Sequence, residues 1–246
     1  MKKPELKQII LVTDGKSNIG GNPVTVAAQG AKQGIAINVV GIMEQKEMED
    51  SFVNEVEEIA RAGKGISEYS YIQNLGHTMH MVTQKSINKT IETIVGSQLK
   101  EMLGTELDGI SPSSRNKIVN YMDTLEESLA IKCCIVMDCS GSMTHRIGTA
   151  RQSIIELMNS LKGRKGESKV AVIAYPGDGE KHYKIIQHFT EDIDIIKQEI
   201  LALKAGGITP TASALSKAIE IFFEKLDIED EEPVSAQEPL LKENIV

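Results

Sequence analysis

Residues 131–142 read IKCCIVMDCSGS. The first seven form a short apolar run broken only by Lys132. A run of that length, ended by turn-forming residues, reads as a strand buried on both faces of a parallel sheet. Asp138, Ser140 and Ser142 alternate just beyond it. In an extended turn such residues point the same way, and Gly141 lets the backbone bend between them.

A second stretch has the same form. Residues 9–13 read IILVT and end in Asp14-Gly15. Between and around these two strands, helical and extended patterns alternate. Pro23 opens a helix over 24–33 that Gly34 closes. A strand follows at 37–42, then a helix at 47–61 with Phe52, Val56 and Ile59 on one face. Residues 66–72 form a more polar strand that suits a sheet edge. Residues 77–103 carry Met81, Ile87, Ile91, Ile94 and Leu99 at helical spacing. Residues 1–104 thus read βαβαβα. A bridge over 105–130 has turn signals at Asp108-Gly109 and Ser111-Pro112, then a helix over 115–129 with Ile118, Val119, Met122 and Leu125. Beyond the strand of the opening quotation, a helix over 144–161 places Ile147, Ala150, Ile154, Met158 and Leu161 together. Strands at 169–175 and 183–189 make a hairpin, a helix spans 193–203, and Gly206-Gly207-Ile208-Thr209-Pro210 turns into a last helix over 211–226. This alternation predicts an α/β fold, a doubly wound and mostly parallel sheet flanked by helices. The acidic stretch 227–246, with Pro233 and Pro239, reads as a solvated, mobile tail.

The 246 residues are 41% apolar but only 4% aromatic, with no Trp, so aliphatic side chains must fill the core. The net charge of −8 argues against general nucleic-acid binding, which needs a basic surface. Cys133, Cys134 and Cys139 have no distant partners, so no disulfide framework is visible and a reducing compartment fits. The N-terminus lacks the apolar core of a signal peptide, and no stretch is long enough to span a membrane. Together these point to a soluble cytoplasmic protein.

The chemistry concentrates in three loops, Asp14-Gly15, Asp138-x-Ser140-x-Ser142 and Gly206-Gly207-Ile208-Thr209. In a parallel sheet, loops that follow strands emerge on one edge, and ligands bind there where the strand order reverses. If the strands of Asp14 and Asp138 are neighbours at that point, two carboxylates and three hydroxyls converge. An all-oxygen set selects Mg²⁺ or Mn²⁺, with Ca²⁺ behind them, over zinc or copper. Two carboxylates against a 2+ ion leave about zero charge, so the ion retains appetite for one more anionic oxygen. His77 and His80, three apart on a helix, lack a third ligand and read as surface residues. Serine–histidine catalysis by Ser140 or Ser142 with His145 lacks the Gly-x-Ser-x-Gly elbow. No phosphate-binding Gly-x-x-x-x-Gly-Lys-[Ser/Thr] loop occurs.

The Asp-x-Ser-x-Ser element, the threonine after a Gly-Gly turn and the Thr-Asp-Gly of residues 13–15 resemble von Willebrand factor A-type (VWA) domains and are similar to their metal-ion-dependent adhesion site. The resemblance implies a Rossmann-like sheet of order 3-2-1-4-5-6. It implies Asp138, Ser140, Ser142, Thr209 and Asp14 as metal ligands, with no catalytic residue. It also implies a protein-binding function in which an acidic side chain of a partner completes the metal's coordination. Lys16, Ser17, Asn18, Thr144, His145 and Arg146 then form a rim around the partner. The motif order departs from the family, because Asp14 comes first. Residues 1–104 resemble the back half of the domain and 131–226 its front half, as in a circular permutation. The halves close within one chain as a monomer, or across two chains as a swapped homodimer. Arrangement and length resemble a VWA protein of a sporulation operon in spore-forming Bacillota, which implies sporulation as the setting. A metal-dependent hydrolase or phosphatase using the same oxygen ligands is the alternative function.

Overall fold

β4 (Ala130–Asp138) lies near the middle of a six-stranded sheet, buried along almost its whole length. The computed structural model describes residues 5–43, 50–103, 109–179 and 181–224. The other strands are β1 (Glu5–Thr13), β2 (Ala36–Met43), β3 (Lys64–Tyr71), β5 (Ser168–Tyr175) and β6 (Lys184–Thr190). Their order is β3-β2-β1-β4-β5-β6. β1 to β5 run parallel, and β6 returns antiparallel beside β5, as the expected hairpin requires. The more polar β3 is an edge strand, also as expected.

Successive residues of a strand face opposite sides of the sheet, and the two sides make two cores. Ile10 and Val12 of β1 join Cys133, Ile135 and Met137 of β4 on one side. There they meet α3 (Leu75–Leu103), α5 (Ile147–Lys162) and α6 (Ile193–Ala202). Ile9 and Leu11 join Cys134 and Val136 on the other, against α1 (Pro23–Lys32), α2 (Asp50–Ala62) and α7 (Thr211–Glu220). Both faces are covered, which is why the central strands read as unbroken apolar runs rather than alternating ones.

Local signals explain some of the helix starts. Asn22 caps α1 by accepting from the N–H groups of Val24 and Thr25, with Pro23 as first helical residue. The bridging helix α4 (Pro112–Ser128) is capped by Ser111 in the same way and rests Ile118, Met122 and Leu125 on the first core. Val119, expected on that stripe, is exposed.

Several expectations are corrected. Of the residues expected on the buried face of α3, Ile87 and Ile91 are buried and Leu99 packs against the core, while Met81 and Ile94 are only half-buried and Leu75, Met79, Val82 and Val95 complete the face. α5 starts at Ile147, because Gly141–His145 first winds as a tighter 3-10 turn. α7 ends at Glu220, short of 226. The acidic tail at 227–246 lies outside the described residues, as does the beginning of the helix expected at 47. No described helix is long and apolar enough to cross a membrane.

One irregularity is stitched by a buried side chain. The pairing of β2 with β3 slips between Ile37 and Val39, opposite Lys64 and Ser67. Asn38 Oδ1 accepts the Ile66 N–H at 3.0 Å, and its Nδ2 donates to Gln8 Oε1 at 3.0 Å. A bulge leaves main-chain groups without ladder partners, and a buried amide supplies one here.

From β1 the chain steps outward through β2 to β3, and from β4 it steps the opposite way through β5 to β6. The loops after β1 and β4 therefore diverge, and the crevice between them is the switch point where such sheets hold ligands.

Candidate functional site

β1 and β4 pair in register from Glu5↔Ala130 to Val12↔Met137. That register sets Thr13 beside Asp138 at the carboxyl edge. Asp138 is completely buried, and both of its oxygens are held. Thr13 Oγ1 donates to Oδ2 at 2.7 Å, and the Ser140 N–H donates to Oδ1 at 2.8 Å. Burial pushes the Asp138 carboxyl up to about 6 from its ordinary 3.8. The bonds from Ser140 and Thr13 pull against that rise, and the nearby Asp14 adds to it.

The two serines carry the network across to the other loop. Ser140 Oγ lies 3.0 Å from Ser142 Oγ, and Ser142 Oγ donates to Asp14 Oδ1 at 2.6 Å. The remaining oxygen of Asp14 accepts from Arg146 Nη1. The Asp14 side chain has 0% exposure, although its backbone is partly open.

Main-chain bonds bring in the third loop. Gly141 N–H donates to Gly207 O at 3.2 Å, and Gly206 N–H donates to Cys139 O at 2.8 Å. Gly207 sits at φ +83°, a backbone shape that favours glycine. Thr209 is buried, and its main chain is clasped by Asn18. The Asn18 N–H donates to Thr209 O at 3.2 Å, while Asn18 Oδ1 accepts the Thr209 N–H at 2.9 Å. All three loops are thus tied at one edge. Asp138 accepts from the Ser140 main chain, Ser140, Ser142 and Asp14 are linked side chain to side chain, and Thr209 is linked through its backbone.

The rim residues divide. Lys16, Asn18, Thr144 and His145 are exposed, and Ser17 is half-buried with its N–H held by Glu55 Oε1 at 2.7 Å. Desolvation raises the Glu55 carboxyl, and the Ser17 N–H partly offsets that. Thr144 Oγ1 donates to Gly141 O at 2.7 Å and so buttresses the tight turn. Arg146 faces inward, to Asp14.

Four residues at the site have no role of their own in the sequence reading. Thr13 enters it only as part of the Thr-Asp-Gly motif. Glu55 lies on a helix whose polar face carried no signal. Tyr175 and Thr211 both bury their hydroxyls. Burial and the field of Asp138 raise the Tyr175 hydroxyl well above its ordinary value, against the pull of hydrogen bonding with Thr13 and Thr211. Cys139, beside the loop, is buried, and desolvation pushes its thiol up to about 12, so it is not a reactive thiolate. His77 and His80 are exposed, as expected, and His80 Nδ1 meets Ser160 Oγ at 3.0 Å.

Among the described residues no three His, Cys, Asp or Glu side chains are grouped to hold a metal ion. The donor set at the β1/β4 edge is of another kind, two carboxylates with hydroxyls around them. Such oxygens fit a hard divalent cation and do not fit a soft one.

Residues 133–232 match the family model of the von Willebrand factor type A domain. That segment holds Asp138, Ser140, Ser142 and Thr209, and Asp14 lies outside it. The chain is 34% identical to the uncharacterized protein YabS of Bacillus subtilis (strain 168) over 228 residues, 92% of each chain. It is also similar to a crystal structure of an uncharacterized protein from Alicyclobacillus acidocaldarius subsp. acidocaldarius, with 31% identity and a TM-score of 0.82. That likeness covers 89% of this chain and 94% of the other. With the sheet order, the three loops and these likenesses in agreement, the chain belongs to the von Willebrand factor type A domain family.

Proposed function

We propose that this protein is a divalent-metal-dependent protein-binding module. Asp138, Ser140, Ser142, Thr209 and Asp14 hold Mg²⁺ or Mn²⁺, directly or through water. The ion takes an acidic side chain of a partner protein, with Lys16, Ser17, Asn18, Thr144, His145 and Arg146 around it. The carrying observation is the hydrogen-bonded chain Asp138–Ser140–Ser142–Asp14, which joins in one crevice two carboxylates that are distant in sequence. A bound cation supplies an electrophilic centre for an anionic oxygen. The side chains position that centre and exclude bulk water beneath it. The one carboxylate that accepts from Ser142 is also paired with Arg146 and is assigned here to the ion, which ties up the base a serine nucleophile would need and favours binding over hydrolysis. A cytoplasmic role in sporulation belongs to the same proposal and rests on the sequence resemblance alone.

We also propose that the chain is a circular permutation of the family order, with 1–104 as back half, 131–226 as front half and 105–130 joining the usual ends. One contact supports this. Lys7 Nζ stands 5.0 Å from the ring centroid of Phe223, so the chain beyond α7 passes over the start of β1. A family member in the usual order would connect those two elements directly.

The test is calorimetric titration with Mn²⁺ of wild type, Asp138→Ala and Asp14→Ala. Loss of binding in both variants is expected, and undiminished affinity in both ends the metal reading. Capture of partners from the native host with Mg²⁺ and with EDTA extends it. A partner recovered equally under both conditions does not bind through the ion.

A further inference from the structure

The crevice already contains a cation. Arg146 stands between the 3-10 turn and the first residue of α5. Its side chain is only 13% exposed, and its Nη1 donates to Asp14 Oδ2 and approaches Ser142 O at 3.4 Å. This is an unfavourable place for a positive charge in general, because the N-terminal end of a helix is the positive end of its dipole. The ion pair with Asp14 offsets that cost. With Ser142 Oγ on Oδ1 and Arg146 on Oδ2, donors from the β4 side occupy both oxygens of Asp14.

A divalent ion has to use the same oxygens. Ser142 can offer a lone pair to a cation only if its proton stays turned away, and a guanidinium within a few ångströms of a 2+ charge is repelled. With both aspartates ionised, Arg146 gives the metal-free crevice a formal charge of −1. Adding the ion takes it to +1, not to the zero that follows from counting the carboxylates alone.

We propose that Arg146 is a resident counter-ion that holds Asp14 in the metal-free protein and is displaced from it when the divalent ion binds. This rests on the metal reading above. Metal affinity is then an exchange, cation for cation, and loading the ion reverses the sign of the crevice. An acidic partner side chain meets a repelling site before loading and an attracting one after it, with the displaced guanidinium available as its second contact.

The experiment compares wild type, Arg146→Gln and Arg146→Lys by Mn²⁺ calorimetry and by thermal melting in EDTA and in Mn²⁺. Arg146→Gln is expected to bind Mn²⁺ on the order of tenfold more tightly, as coupling of this kind does. It should melt lower than wild type in EDTA and gain more from Mn²⁺. Arg146→Lys keeps the charge but loses the planar fork, so it falls between the two, and it carries the test if Arg146→Gln does not fold without metal. Equal or weaker Mn²⁺ binding by the variants, with wild type binding normally, overturns the exchange and leaves the metal reading standing. Absence of Mn²⁺ binding in all three overturns both.

Discussion

Ser142 Oγ donates to Asp14 Oδ1 over 2.6 Å, although the two residues are 128 positions apart in sequence. A second bond crosses the same gap in the other direction, from Thr13 Oγ1 to Asp138 Oδ2. Each aspartate is therefore held by a hydroxyl from the other's strand or loop. Neither carboxylate is set by its own loop alone, and both depend on β1 and β4 lying side by side in one register.

Thr13 is expected to act on metal affinity without touching the ion. Thr13→Val keeps the shape of the buried side chain and removes the donor to Asp138. Groups that orient a metal ligand in this way are worth about 10–100-fold in affinity. Mn²⁺ titration of Thr13→Val should show a loss in that range, with a lower melting temperature in EDTA because a buried carboxylate oxygen loses its donor. A wild-type affinity would assign the Thr13–Asp138 bond to structure alone.

Asp138 predicts a pH dependence of the metal-free protein. Its folded value near 6 lies above the ordinary 3.8, so the native state holds the proton more tightly than the unfolded chain does. Between those values stability falls as pH rises, and above about 6 the full cost of the buried charge is present. Asp138→Asn removes that cost. In EDTA it should exceed wild type by roughly 3 kcal/mol at neutral pH, with the difference vanishing below about pH 4. Urea denaturation of both proteins across that range is the measurement. A constant difference would mean that Asp138 is not the titrating group. With saturating Mn²⁺ the order should reverse, since only the wild type keeps the charged ligand.

The passage of Phe223 over Lys7 predicts that the order of the halves can be exchanged. A chain that begins at residue 109, runs to Glu224, passes through a short Gly/Ser linker to Glu5 and ends at Leu103 keeps every described strand and helix. It should fold, melt within several degrees of the parent and bind Mn²⁺ with the parent's affinity. Failure to fold with linkers of several lengths would show that the α4 connection is needed to hold the two halves together.

The apolar runs at 9–13 and 131–137 identified the central strands, because burial on both faces leaves a one-dimensional mark that needs no knowledge of neighbours. Alternation of strands with helices, the Pro23 and Ser111-Pro112 starts, and the polar character of β3 were legible for the same reason. So were Asp138, Ser140 and Ser142, whose spacing along one turn is itself the signal. Other features depended on what each residue meets in space. The burying face of α3 follows its packing on the sheet and α5, so Met79, Val82 and Val95 displaced Met81 and Ile94. The bulge that Asn38 repairs exists only between paired strands. Arg146 read as one more exposed cation on a rim, and only the approach of the Asp14 loop turned it inward. Periodicity and turn chemistry are written in neighbouring residues. Meetings across 125 to 132 positions, as in Thr13–Asp138 and Asp14–Arg146, are decided by sheet register and by helix packing.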